Sequence, residues 1–275
     1  MEESVICLGK EWLVHHRWGW MHDKPGPRAN CWYDPTAIKI TENYVDLIIH
    51  RNPGVIDKNQ RLVTDQWVKD GQFIPEMYLQ MEAEPGSLFA AEYGTGFLCC
   101  KENTGFGTYT LIAKMPEEYY CWPAFWLFQD EGSSAEIDIA EWYSKDTMYR
   151  KYKKCLFFKK RFIGWDIESC LHSDIKLKGT GVKIPDLEDF DLDPSFHVIN
   201  YKFTWTPTYM AFYVNGICYR MILDKDVLDY FAQFNGKMYP IINNHIAGGK
   251  ETKLFKFNPG NDTTMRIYDY GYKPL

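Results

Sequence analysis

The chain contains no apolar run approaching the ~20 residues a membrane-spanning helix requires, so no membrane partner is expected. Its start, MEESVICLGKEWLVHH, lacks the basic region and uninterrupted apolar core of a secretory signal. A soluble chain is the expectation. None of the eight cysteines (Cys7, Cys31, Cys99, Cys100, Cys121, Cys155, Cys170, Cys218) forms a CxxC pair, and no histidine spacing accompanies them. That argues against a thiolate metal site, and thiols packed as small apolar groups are expected instead. Excess positive charge is also missing: 31 Lys and Arg stand against 37 Asp and Glu, a net charge of -6 and an isoelectric point near 5.7. Nucleic acid is therefore not an expected partner. No internal repeat, low-complexity tract or linker divides the sequence, so one domain over residues 1–275 is expected, a size all-β folds reach as a single unit.

What the chain does have is rings. Aromatics make up 17%, including 10 Trp and 19 Tyr, more than a core alone calls for. Trp and Tyr join a broad apolar face to a polar edge, so some of them are expected to stack on a ligand.

Strand-like runs separated by Gly, Pro, Asn and Asp dominate the rest and predict an all-β, antiparallel β-sandwich. Strands are expected at 37–40, 44–49, 106–115, 124–128, 136–142, 196–205 and 264–270. Runs 209–214 and 217–222 flank Asn215-Gly216, a pair suited to the positive φ values of a type I′ hairpin turn. One helix is expected at 224–234, where Val227, Leu228, Phe231 and Phe234 recur at helical spacing behind aspartates that can cap it. Residues 179–194 read as an acidic surface loop.

The passage with chemical content begins WPAFWLFQ at Trp122, passes a turn holding Gly132-Ser133-Ser134, and continues EIDIAEWY from Glu136. Side chains alternate along a strand, so Glu136 and Asp138 share one face while Ile137 and Ile139 point into the core. Glu141, five residues past Glu136, belongs to the opposite face of a regular strand. One extra residue in a β-bulge near Ile139-Ala140 brings it back. Three crowded carboxyls raise one another's pKa, an arrangement tolerated at catalytic sites. Retaining glycoside cleavage needs such a set: a carboxylate nucleophile, and about 5–5.5 Å away a carboxyl that protonates the leaving oxygen and later activates water. Asp138 between them can hold their protonation states apart.

This stretch resembles glycoside hydrolase family 16, the laminarinases, β-agarases and κ-carrageenases, in the subgroup with W-P-A-x-W followed by E-I-D-I-x-E. Phe106 to Pro116, Ser195-Phe196-His197-Val198, Trp205-Thr206-Pro207, Tyr213 to Gly216 and Asn244 to Gly249 are similar to further family motifs in family order. The first 80 residues match poorly. The resemblance implies a concanavalin A-like jelly roll with an open substrate cleft on its concave sheet, and a monomer acting on extracellular polysaccharide without cofactor. It further implies Glu136 as nucleophile, Asp138 as its helper and Glu141 as acid/base. Trp122 and Trp126 would line the sugar subsites, and His172 would sit near the acid/base. Trp142 and Asn244 complete the expected sugar-contacting set.

The sequence departs from the family in three places. Thr110 and Ile112 replace a Glu and an Arg. The aspartate that many members associate with structural calcium aligns near Tyr268, with Asp269 one place off, which argues against that metal. A longer interval between Glu141 and His172 carries Arg150, Lys151, Lys153, Lys154, Lys159, Lys160 and Arg161. If that basic run overhangs the cleft it would favour a sulfated or uronic polysaccharide; a solvated hairpin tip is the plainer reading. Transglycosylation through the same intermediate, and a non-catalytic carbohydrate-binding protein or virion or surface structural protein on the same fold, remain the competing functions.

Overall fold

The computed structural model describes residues 4–17, 19–20, 31–56, 89–116, 121–129, 135–143, 166–173, 181–183, 197–246 and 263–275. Alternating burial in these segments builds two packed sheets. The first runs β1 (Ser4–Cys7), β2 (Lys10–Leu13), β7 (Phe97–Cys100), β16 (Tyr239–Ile246), β9 (Cys121–Gln129), β10 (Ala135–Tyr143), β11 (Asp166–Ser173), β12 (Gly181–Lys183). The second runs β15 (Ile217–Ile222), β14 (Met210–Val214), β13 (Ile199–Trp205), β8 (Gly107–Lys114), β17 (Thr264–Pro274), β5 (Val45–Ile56), β6 (Phe89–Thr95), β3 (Cys31–Tyr33), with β4 (Ile38–Ile40) also paired to β5. Neighbours are antiparallel except β3 beside β6.

Every second residue of β8 and β13 is buried, so Tyr109, Leu111, Tyr201 and Phe203 meet Phe125, Leu127, Ile137 and Ile242 of the first sheet in one apolar interior. Truncating one of these, Phe125→Ala for example, removes a ring the closed sheets cannot replace, at a cost of about 3–5 kcal/mol. Thr110 and Ile112, where the family has charges, are the intervening, half-buried residues of β8. They sit on the second sheet, not on the sheet that carries the acids.

The hairpin turn forms as expected, with φ 47° at Asn215 and 84° at Gly216. The expected helix is shorter than its periodicity, α1 (Lys225–Ala232), but Val227, Leu228, Phe231 and Phe234 all enter the interior. The Asp224 carboxylate accepts from the amides of Asp226 (3.0 Å) and Val227 (3.3 Å). Asp224→Ala leaves those first-turn donors without that acceptor and is expected to cost about 1 kcal/mol, read as a lower denaturation midpoint at unchanged m-value.

Candidate active site

The bulge is present, and strand register locates it. Across β9, Asp138 pairs with Trp126 and Ala140 with Phe125, so Ile139 is the extra residue. Across β11, Asp138 pairs with Cys170 and Glu141 with Glu168, so Ile139 and Ala140 together stand opposite the single Ser169. Burial agrees: Ala135, Ile137, Ile139 and Ala140 all line the interior between the sheets. Two consecutive inward residues reset the alternation, and Glu136, Asp138 and Glu141 emerge on the other face.

Asp138 is 2% exposed and Glu141 7%, while Glu136 is half-buried. Asp138 hydrogen-bonds both glutamates. Burial first, then the adjacent negative charges of Glu136 and Glu141, hold its pKa well above the usual aspartate value. A protonated Asp138 can donate to a glutamate carboxylate instead of repelling it. The Trp122 indole Nε1–H donates to Glu141 Oε1 at 3.3 Å, fixing the direction of that carboxyl.

The two tryptophans part company here. Trp122 is half-buried beside Glu141. Trp126, expected to offer an open ring face, is 3% exposed within a second apolar layer on the acid-bearing side of the first sheet, with Tyr33, Phe97, Phe128, Tyr239 and Ile241. Its Nε1–H donates to Asn243 Oδ1 at 2.8 Å. His16 is buried over the same rings, its centroid 5.5–6.0 Å from those of Phe97, Trp126, Phe128 and Tyr239. Many of the chain's surplus rings thus pack on one another.

Asn244 corrects the sequence reading. Its Nδ2 donates to the carbonyls of Leu47 (3.0 Å) and Thr263 (2.6 Å), and Thr95 Oγ1 donates to its own carbonyl. It bridges to the second sheet and faces away from the acids. Its neighbours Asn243 and His245 take the acid-bearing face: Asn243 Nδ2 donates weakly to the Trp122 carbonyl (3.4 Å), and the His245 ring stands edge-on to Trp122 at 6.3 Å. Behind His245, Nδ1 lies 3.0 Å from the buried Cys31 Sγ. Counting the alternation back from Trp126 through its pairing with β16 was the signal that could have found Asn243 and His245; matching a motif to the Asn244 run gave the wrong parity.

His172 is the register partner of Glu136 and Trp142 follows Glu141. The side chains of both lie outside the described residues, as do the turn at 132–134, the basic run at 150–161 and most of the acidic loop at 179–194. Among the described residues, no disulfide joins any two of the seven cysteines.

Comparison with known proteins adds an independent line. A family model for glycosyl hydrolases family 16 matches residues 56–254. A galactan endo-β-1,3-galactanase of Flammulina velutipes is 28% identical over 123 residues, covering 41% of this chain and 48% of that protein. The match thus spans about half the length of that curated relative. Among solved structures, the laminarinase catalytic domain from Thermotoga maritima MSB8 has 15% identity and a TM-score of 0.58, covering 90% of this chain and 84% of that one. Porphyranase B from Zobellia galactanivorans has 15% identity and a TM-score of 0.62, covering 98% of this chain and 88% of that one. At such identities these structures establish the shared jelly-roll sandwich.

Proposed function

Since the chain belongs to glycosyl hydrolases family 16, we propose that it is a retaining endo-β-glycosidase that hydrolyses internal linkages of a glucan or galactan. The observation that carries this reading is the bulge at Ile139-Ala140, which sets Glu136, Asp138 and Glu141 on one face. In the first step Glu136 attacks the anomeric carbon while Glu141 gives its proton to the departing glycosidic oxygen, leaving a glycosyl ester on Glu136. In the second, Glu141 takes a proton from water, the hydroxide attacks the same carbon, and Glu136 leaves as carboxylate. Asp138, holding a proton between the two, donates to whichever glutamate is ionised and limits their mutual repulsion. In this reading Trp122, half-buried beside Glu141, stacks on a pyranose next to the cleaved bond. The cycle uses carboxyl groups and water and calls on no cofactor.

The galactanase relative makes β-1,3-galactan the first substrate to try. Wild type and Glu136→Gln are incubated with β-1,3-galactan, laminarin, lichenan, agarose and carrageenans, and new reducing ends are counted. Wild type is expected to fragment at least one polymer into oligosaccharides. Binding without release on every polymer would instead favour a non-catalytic sugar-binding protein.

A further inference from the structure

The bulge that sets the acids is gripped from the opposite sheet. Strand β15 has an irregularity of its own: Phe212 pairs with Arg220 and Tyr213 with Cys218, so Tyr219 is an extra residue there. In a regular strand Tyr219 and Arg220 would face opposite ways; the extra residue lets both reach across the sandwich to β10 and β11. Tyr219 Oη donates to the carbonyl of Ile139, the extra residue of β10, at 3.4 Å. Arg220 Nη1 donates to the Ser169 carbonyl at 2.6 Å and to Ser169 Oγ at 2.9 Å. Ser169 is the residue that faces Ile139 and Ala140. Both sides of the distortion are therefore held by consecutive residues of one strand.

A surface ion pair would not explain this arrangement. Arg220 is 7% exposed, its guanidinium stands 5.1 Å from the Phe212 ring centre, and burial lowers its pKa. Burying a cation is costly, and two of the hydrogen bonds Arg220 makes fall where the acid-bearing strand departs from regular pairing. A bulge also disrupts the local ladder, so outside partners decide how firmly it is set.

Resting on the glycosidase reading above, we propose that Tyr219 and Arg220 are positioning residues for the reaction. They fix the bulge, and through it the direction from which Glu141 reaches the glycosidic oxygen. Neither touches the sugar. The test compares Tyr219→Phe and Arg220→Lys with Tyr272→Phe, which removes a hydroxyl bonded to Gly105 and Phe106 in another part of the fold. Hydrogen exchange is followed at the amides of residues 139–141, and kcat and KM are measured on the polymer that wild type cleaves. Tyr219→Phe and Arg220→Lys are expected to speed exchange there about tenfold. They are also expected to lower kcat about 10- to 100-fold, as small misplacements of a catalytic group do, with KM within about twofold of wild type because binding contacts are untouched. Tyr272→Phe is expected to change neither. Unchanged exchange at 139–141 in both variants, or faster exchange with wild-type kcat, would overturn the proposal. A wild type that cleaves nothing would sink the glycosidase reading and the positioning role that rests on it, whereas unchanged exchange in variants of a wild type that does cleave would sink the proposal alone.

Discussion

Glu136→Gln is expected to lower kcat on the order of 10^4-fold, a loss in the range seen when a covalent nucleophile is removed. Oligosaccharide binding and the fold should both survive. The amide matches the carboxyl in size and can still hydrogen-bond Asp138, so the half-buried position is filled as before. What disappears is the electron pair that forms the glycosyl ester. The same change takes one negative charge from a cluster in which neighbouring charges raise the Asp138 pKa, so the variant's thermal midpoint should equal or exceed that of wild type at neutral pH. Pairing kinetics with calorimetry and binding separates lost chemistry from lost structure: reduced binding together with a lowered midpoint would mean that Glu136 serves the fold.

Asp138→Asn carries the second large effect, about 100-fold in kcat, together with a signature in stability. The folded-state pKa of Asp138 lies well above the unfolded value of 3.8, through burial first and the two glutamates second. The folded protein thus binds this proton more tightly than the unfolded chain does. That linkage stabilises the fold fully below pH 3.8, and the contribution is lost as pH rises through the folded pKa. Asparagine cannot titrate but can still donate N–H to a glutamate. The midpoint of the variant minus that of wild type should therefore increase steadily as pH is raised from about 4 toward neutrality. Melts across that range check it, and a difference independent of pH would show that Asp138 is not the titrating group.

Much of this was legible in the residues, for physical reasons. EIDIAE states its own geometry: two isoleucines at alternate positions fix the inward face, and only an extra residue can place a third acid with the first two. Asn215-Gly216 identifies its turn because few other pairs adopt two positive φ values without strain. The tryptophans were less transparent. Whether an indole stacks on a sugar or on Tyr33, Phe97 and His16 depends on segments distant in sequence that fold over β9, and local pattern carries no record of them. Asn244 failed through parity, since a shift of one residue along a strand exchanges the two faces of a sheet. The grip on the bulge was hidden as well. Tyr219-Arg220 reads as ordinary hairpin sequence until pairing shows an extra residue there and β10 across the interior.

The most direct trial of the account traps the intermediate. Incubation with a 2-deoxy-2-fluoro glycoside bearing an activated leaving group, followed by proteolysis and mass spectrometry, should place one sugar on the peptide containing Glu136, with fragmentation assigning it to that carboxyl. An enzyme that turns over its polymer yet never carries the label, or carries it on a residue other than Glu136, would contradict the double-displacement geometry that the bulge is held to create.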